Sequence, residues 1–159
     1  MNFYSEISKG YDELYKKEQL AKLNIIKNNV KIISPLLDIG CGTGISTNFF
    51  KVESTGIDNN KEMLKLAPKN CSYANAESLP FEDNSFNTII SVTVFQNINN
   101  MEKALKEIKR VSSNNNIYIT FLKKSSKLKK FRKLINQYFE NIKEIEESKD
   151  IIFLVPYDS

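Results

Sequence analysis

The segment Leu36-Leu37-Asp38-Ile39-Gly40-Cys41-Gly42-Thr43-Gly44 sets one carboxylate and three alternating glycines at the end of a short apolar run. An apolar run that ends in glycines is how a buried parallel strand enters a tight turn. Bare backbone at Gly40, Gly42 and Gly44 permits unusual dihedrals and lets a ligand lie close across the strand end. Spacing decides which ligand. A dinucleotide site needs G-x-G-x-x-G, with its pyrophosphate on a helix N-terminus. Here the pattern is G-x-G-x-G, and Ile45 stands where the third dinucleotide glycine would fall. Asp38, two residues before Gly40, repels a phosphate and attracts an ammonium group. The residues therefore favour a ligand with an amino-acid end and no phosphate.

With Gly56-Ile57-Asp58 following after a helix-sized gap, the chain resembles the class I S-adenosylmethionine-dependent methyltransferases, specifically the small-methyltransferase group called type 11. The resemblance implies an α/β fold: a Rossmann-like three-layer sandwich with a mostly parallel seven-stranded sheet and an antiparallel last strand. It implies S-adenosyl-L-methionine as the cofactor. Asp58, ending a strand from about Ser54 to Ile57, matches the acid that takes both ribose hydroxyls, since a carboxylate accepts two hydrogen bonds at once. Without the glycine loop Asp58 would read as a helix N-cap.

The same resemblance assigns Asp38, Gly40, Cys41, Gly42, Gly44 and Asn59 to cofactor binding. It lays Met63 and Leu64, on a helix over 60–67, against adenine; taken alone, both read as core residues. The stretch Ala74 to Phe81, with Ala76 and Glu77, matches the segment at the base edge, and Ser91 to Phe95 lines the crevice mouth. Gln96 and Asn97 stand where many relatives carry a His-His pair. Specific motifs cover roughly residues 34 to 122. The chain departs from the family pattern at Asn75, at Phe86-Asn87, and at Ser112-Ser113-Asn114-Asn115-Asn116, where asparagines must make a turn usually built from glycines.

The elements that position these residues follow from patterning. Strands are predicted at Leu36–Ile39, at about Ser54 to Ile57, from Cys71, at Thr88–Val92 and at Ile117–Leu122, with a helix over Met101–Val111 whose Ala104, Leu105, Ile108 and Val111 share one stripe. Residues 3 to 29 read as a helical leader with apolar Leu14, Leu20, Leu23, Ile25 and Ile26. By the resemblance it folds over the cofactor, bringing Tyr4, Tyr11 and Asp12 to the site; the alternative is that both tyrosines only pack the helix onto the sheet. Residues 123 to 133 hold seven basic residues and no acid. Leu128, Phe131, Ile135 and Tyr138 recur at helical spacing there, so an amphipathic helix with a basic outer face is expected. Such a face holds phosphates, or is an ordinary solvated surface balanced by Glu140, Glu144, Glu146, Glu147 and Asp150. A terminal hairpin is predicted from Phe139 to Ile145 and Ile151 to Val155.

One domain over 1–159 is expected, with a helical cap at 1–30, a cofactor-binding core at 34–122 and a basic helix and hairpin at 123–159. No apolar run spans a bilayer and no signal peptide is evident, which points to a cytoplasmic protein without membrane attachment. Two cysteines and no histidine exclude Ser-His and Cys-His nucleophiles and give no metal site. Net charge of +4 permits nucleic-acid binding without requiring it.

For the implied reaction the protein need only align a nucleophile with the sulfonium methyl group and exclude water. No catalytic base is assigned; Tyr11 and Asp12 are better candidates than Gln96, which cannot accept a proton. The Asn/Asp-Pro-Pro-Tyr signature of amino-methylating enzymes is absent, Ser91-Val92-Thr93-Val94 taking its place. The acceptor stays open among a small molecule, RNA and protein, and the lack of large insertions suggests a macromolecular acceptor, an activator subunit that completes the pocket, or a homodimer. Two further readings stand beside the methyltransferase: an inactive cofactor-binding subunit serving a partner, and an aminopropyltransferase, which would need acids at the mouth that Ser91 to Asn97 do not supply.

Overall fold

The computed structural model describes the backbone of residues 2–157 and the side chains of 13–157. Tyr4, Tyr11 and Asp12 therefore lie outside the described side chains. Leu36–Ile39 (β1) and Thr88–Val92 (β4) are buried at every position, the condition of central strands covered on both faces. β1 pairs in parallel with Ser54–Asp58 (β2) on one side and with β4 on the other. Beyond β2 lies Cys71–Tyr73 (β3), and beyond β4 lies Ile117–Leu122 (β5). The last hairpin, Lys143–Glu146 (β6) and Asp150–Val155 (β7), joins through β7, which runs antiparallel to β5. The order is β3-β2-β1-β4-β5-β7-β6, the Rossmann-like sandwich implied by the sequence.

Alternation along the strands feeds two cores. Ile89, Ile117, Ile119 and Phe121 face a layer formed by Met101–Val111 (α3) and Leu128–Tyr138 (α4), while Leu36, Ile90 and Tyr118 face the leader helix Asn2–Asn29 (α1). α3 starts where the Asn100 side chain accepts from the Lys103 N–H at 3.0 Å, and it buries the predicted stripe together with Met101. At the centre of the α4 contact, the Phe131 ring stacks on Phe121 at 4.6 Å and meets Phe153 and Phe95 at 5.0 and 5.3 Å.

Four elements differ from the sequence reading. The helix over 60–67 is a single turn, Lys61–Leu64 (α2), because the chain must stop before Pro68. The helix-sized gap after the glycine turn holds a run of turns over 43–50 rather than a helix; the Ser46 and Thr47 hydroxyls there turn inward to Asp38, and short hydroxyl side chains that bond elsewhere are poor helix formers. α4 begins at Leu128, leaving Lys123 and Lys124 in a loop. The first hairpin arm begins only at Lys143, since Phe139 is the buried C-cap of α4.

One glycine of β2 is demanded by packing. A methyl group on Gly56 would stand 2.7 Å from Cys41 Cβ, 2.8 Å from Thr47 Oγ1 and 2.9 Å from Cys71 Sγ. Gly56→Ala is expected to destabilise the fold by about 1–3 kcal/mol through overpacking. Urea unfolding checks this: the midpoint should fall with the slope unchanged.

Candidate functional site

The strand order reverses at β1, whose neighbours are β2 and β4, and open α/β sheets bind ligands beyond the carboxyl ends of the strands at that point. A crevice of about 350 Å³ lies there, large enough for a small molecule. Gly40, Gly42 and Gly44 form its turn with φ of 79°, 54° and 93°, but they are bare for different reasons. A methyl group on Gly40 would strike Val94 at 2.3 Å and one on Gly44 would strike Pro68 at 2.5 Å, so these two admit protein side chains. On Gly42 it would meet only the flexible end of Met63 at 3.4 Å. Gly42 is the glycine with its face toward the crevice.

Asp58 ends β2 beside it. Oδ2 accepts the Gly42 N–H at 2.9 Å and Oδ1 accepts the Asn60 N–H at 2.8 Å. Each oxygen keeps lone-pair capacity for a further donor, so two hydroxyls can still be received. Asn60 in turn caps α2, its side chain accepting from the Glu62 and Met63 N–H groups, which sets Met63 on the crevice wall.

The opposite wall is held by α3. Glu107 accepts the Leu79 N–H at 2.9 Å, and Arg110 donates to the carbonyls of Leu79 and Phe81 at 3.0 and 2.8 Å. The hydrogen bond from Arg110 keeps the Glu107 carboxyl below its ordinary range. These ties anchor the segment that carries Asn75, Ala76 and Glu77 into the crevice. Asn75 Oδ1 accepts the Glu77 N–H at 2.9 Å, fixing that turn.

Of the residues singled out in sequence, the structure brings Gly40, Gly42, Asp58, Asn59, Met63, Ala76 and Glu77 together on the crevice wall. Asp38, Cys41, Gly44 and Ser91 do not line it. Ser91 is buried and donates its hydroxyl to the Ile39 carbonyl at 2.9 Å, stitching β4 to β1. Cys41 is a buried thiol raised well above its ordinary pKa by desolvation, which suits packing rather than reaction. Leu64 is also absent from the wall. Tyr15, Ile98 and Asn99 are present and were not singled out. Tyr15 falls four residues after Tyr11, one helical turn along, so helical spacing could have found it; Ile98 and Asn99 follow a short 3-10 turn, Phe95–Asn97, and carry no local signal.

Asp38 sits beneath the glycine turn with no exposed surface. Oδ2 accepts from Ser46 Oγ at 2.5 Å and Thr47 Oγ1 at 2.7 Å, while Oδ1 has no partner among the described residues. Burial pushes its pKa up to about 6, the two hydroxyls pull it down, and the charge of Asp58 adds a smaller rise.

Compared with known families, residues 37–120 match the model of the methyltransferase domain. The chain belongs to this methyltransferase family. An uncharacterized protein of Methanocaldococcus jannaschii is 36% identical over 123 residues, which is 74% of this chain and 49% of that protein. The demethylmenaquinone methyltransferase of Staphylococcus haemolyticus is 26% identical over 157 residues, 86% of this chain and 66% of the enzyme. The chain thus spans about half to two thirds of the length of these relatives. In fold it is similar to a Methanococcus maripaludis protein assigned to the S-adenosyl-L-methionine-dependent methyltransferases, with a TM-score of 0.77, 17% identity and coverage of 95% of this chain and 92% of that one. It is also similar to the structure of a complex between the Haloferax volcanii Trm112 methyltransferase activator and a methyltransferase, with a TM-score of 0.69, 14% identity and coverage of 94% and 93%.

The cofactor of this methyltransferase family is S-adenosyl-L-methionine, and the residues present fit it. Gly42 offers open backbone, Asp58 has lone pairs left for a diol, and Asp38 has an unpartnered buried oxygen under the turn. Among the described residues the lining carries Asp58 and Glu77 and no lysine or arginine, which suits a sulfonium cation. Apart from Asn75, which lines the crevice, the departures from the family pattern lie at the other end of the sheet. Asn87, just before β4, donates to the Ser34 carbonyl at 2.8 Å and accepts from Ser113 and from Asn114. Asn87 and the asparagine turn thus complete one another, with Asn115 in the left-handed region at φ 55°. Outside the site, the basic stretch is partly balanced by its acidic neighbour: Arg132 pairs with Glu144 at 3.0 Å and Lys123 with Glu146 at 3.1 Å. Among the described residues no helix is long and apolar enough to cross a membrane.

Asp38 gives a pH signature. Its carboxyl ionises near 3.8 when exposed and near 6 when folded, so the folded state holds the proton more tightly and ionisation works against folding. Stability should therefore fall as pH rises through this window and level off above it. Asp38→Asn keeps an acceptor for Ser46 and Thr47 and cannot ionise. Urea unfolding of both proteins at pH 4 and pH 7 is expected to show the variant gaining up to about 3 kcal/mol on the intact chain.

Proposed function

We propose that this domain binds S-adenosyl-L-methionine in the crevice and transfers its methyl group to an acceptor that arrives at the mouth already nucleophilic. The observation that carries the reading is the Asp58 carboxylate held by the Gly42 and Asn60 N–H groups with two acceptor positions left open at the topological switch point. In this reading Asp58 receives the ribose hydroxyls, Met63, Ala76 and Ile98 enclose the base, and Gly40 and Gly42 let the amino-acid end lie close to backbone. The unpartnered oxygen of Asp38 attracts the ammonium group at that end through the turn. When bound, the cofactor supplies a methyl group on a positively charged sulfur, activated for displacement.

The chain's own residues orient and shield. Tyr15 on α1 and Thr93, Val94 and Asn97 after β4 border the remaining opening. Among the described residues Asp58 and Glu77 are the carboxylates of the lining, and Tyr15 brings the one phenol that can exchange a proton. A thiol, a phenolate or hydroquinone anion, or a stabilised carbanion needs no further base, and positioning supplies the acceleration. The support for an inactive binding subunit weakens, because the departures at Asn87 and Ser112–Asn116 serve the far end of the sheet. A second subunit remains part of the proposal, because the Haloferax neighbour is a complex of a methyltransferase with an activator.

Formation of S-adenosylhomocysteine, followed with panels of thiols, quinols, RNA and protein and with or without a co-purifying partner, tests this. Turnover is expected with an acidic small acceptor and is expected to drop at least about tenfold in Asn97→Asp, which sets a negative charge beside an anionic nucleophile. Cofactor binding without turnover on any acceptor would return the inactive-subunit reading.

A further inference from the structure

The sheet end beside the crevice contains a buried ion pair that the cofactor reading does not use. Lys22 of α1 and Asp150 of β7 are 2% and 0% exposed and meet at 3.2 Å. Between them stands Thr93. Lys22 Nζ donates to Thr93 Oγ1 at 2.8 Å, and the Thr93 hydroxyl donates to Asp150 Oδ2 at 2.7 Å. The same carboxylate oxygen accepts the Thr120 hydroxyl at 2.8 Å, and the Thr93 N–H donates back to Thr120 Oγ1 at 2.8 Å. Three of these five contacts converge on the residue that follows β4.

Thr93 needs that restraint. Its φ is 57°, in the left-handed region, where a β-branched residue is a genuine outlier and persists only when its surroundings over-determine it. The consequence of this backbone is local and useful. It turns the chain so that Val94 packs on the bare face of Gly40 and so that Thr93 and Val94 both border the crevice. Lys22 meanwhile lies two turns along α1 from Tyr15, which reaches the same crevice.

A buried pair of this kind is weak evidence for stability, because desolvation offsets the attraction between the charges and apolar replacements of both partners are often neutral. We propose that Lys22 and Asp150 are positioning residues: through Thr93 they hold the end of β4 in its left-handed turn and fasten the leader helix beside the mouth, so that cofactor binding depends on a docked leader. This rests on the cofactor reading of the crevice.

The test uses Lys22→Met combined with Asp150→Leu, because either change alone strands a buried charge and can unfold the chain. Thr93→Val removes the bridging hydroxyl at constant shape, and Thr93→Ser keeps it. Each protein is melted, titrated with S-adenosyl-L-methionine by calorimetry, and probed by amide exchange over residues 93–98. The double variant and Thr93→Val are expected to melt close to the intact protein, yet bind at least about tenfold more weakly and exchange faster over 93–98, whereas Thr93→Ser keeps its affinity. A purely structural role would lower the melting temperature and leave the affinity of the folded fraction alone. The proposal is overturned if the double variant and Thr93→Val bind as the intact chain does. If the intact chain binds no cofactor, the cofactor reading fails, and unchanged exchange over 93–98 in the double variant would separately overturn the positioning role.

Discussion

The Asp58 carboxylate is the point at which two crossings of the sheet are fastened together. β1 and β2 deliver their turns side by side, and without a link the glycine turn after β1 and the cap of α2 after β2 would be free to move independently. Accepting one N–H from each turn, Asp58 fixes the distance between the open face of Gly42 and the wall at Met63. A carboxylate can do this and still receive a ligand because it has about four acceptor positions. Restraint of the turn and recognition of a diol are therefore one residue's work, and the rest of the crevice is arranged around it.

Charge follows a consistent logic from that point. Asp38 is buried beneath the turn with one oxygen satisfied by hydroxyls and the other left unpaired, a costly arrangement in an interior of low polarizability unless positive charge arrives nearby. Asp58 and Glu77 add to the same field, and among the described residues the lining brings no lysine or arginine to cancel it. Arg110 of α3 is spent on Glu107, Asp83 and two carbonyls. The crevice is thus set for a cation, and its mouth is set for an acceptor that brings its own reactivity.

The sheet was legible because its residues carry short-range signals. The short, mostly apolar runs at Leu36–Ile39 and Thr88–Val92 and the strict stripe of α3 leave little choice of element, and the glycine spacing with Asp58 locates the crevice. What could not be read is long-range. In the described part of the leader helix the buried stripe is Gln19, Lys22, Leu23 and Ile26; two of these are polar, so a search for apolar spacing chose Leu14 as well, which is 56% exposed. Lys22 belongs in that stripe only because Asp150, far along the chain, waits on the other side. Ser91 looked like a site residue from its place at a strand end, and its hydroxyl is instead taken by the neighbouring strand. Gly44 looked like a ligand contact and makes room for Pro68, while Gly40 both lines the crevice and makes room for Val94.

Calorimetric titration with S-adenosyl-L-methionine of the intact chain and of Asp58→Asn tests the central claim most directly. The amide would place an N–H against the Gly42 or Asn60 N–H and could not receive two hydroxyls. Saturable one-to-one binding by the intact chain that is lost in the variant is the predicted result. Equal binding by the two proteins would contradict the role given to Asp58, and no binding by the intact chain would contradict the cofactor site itself.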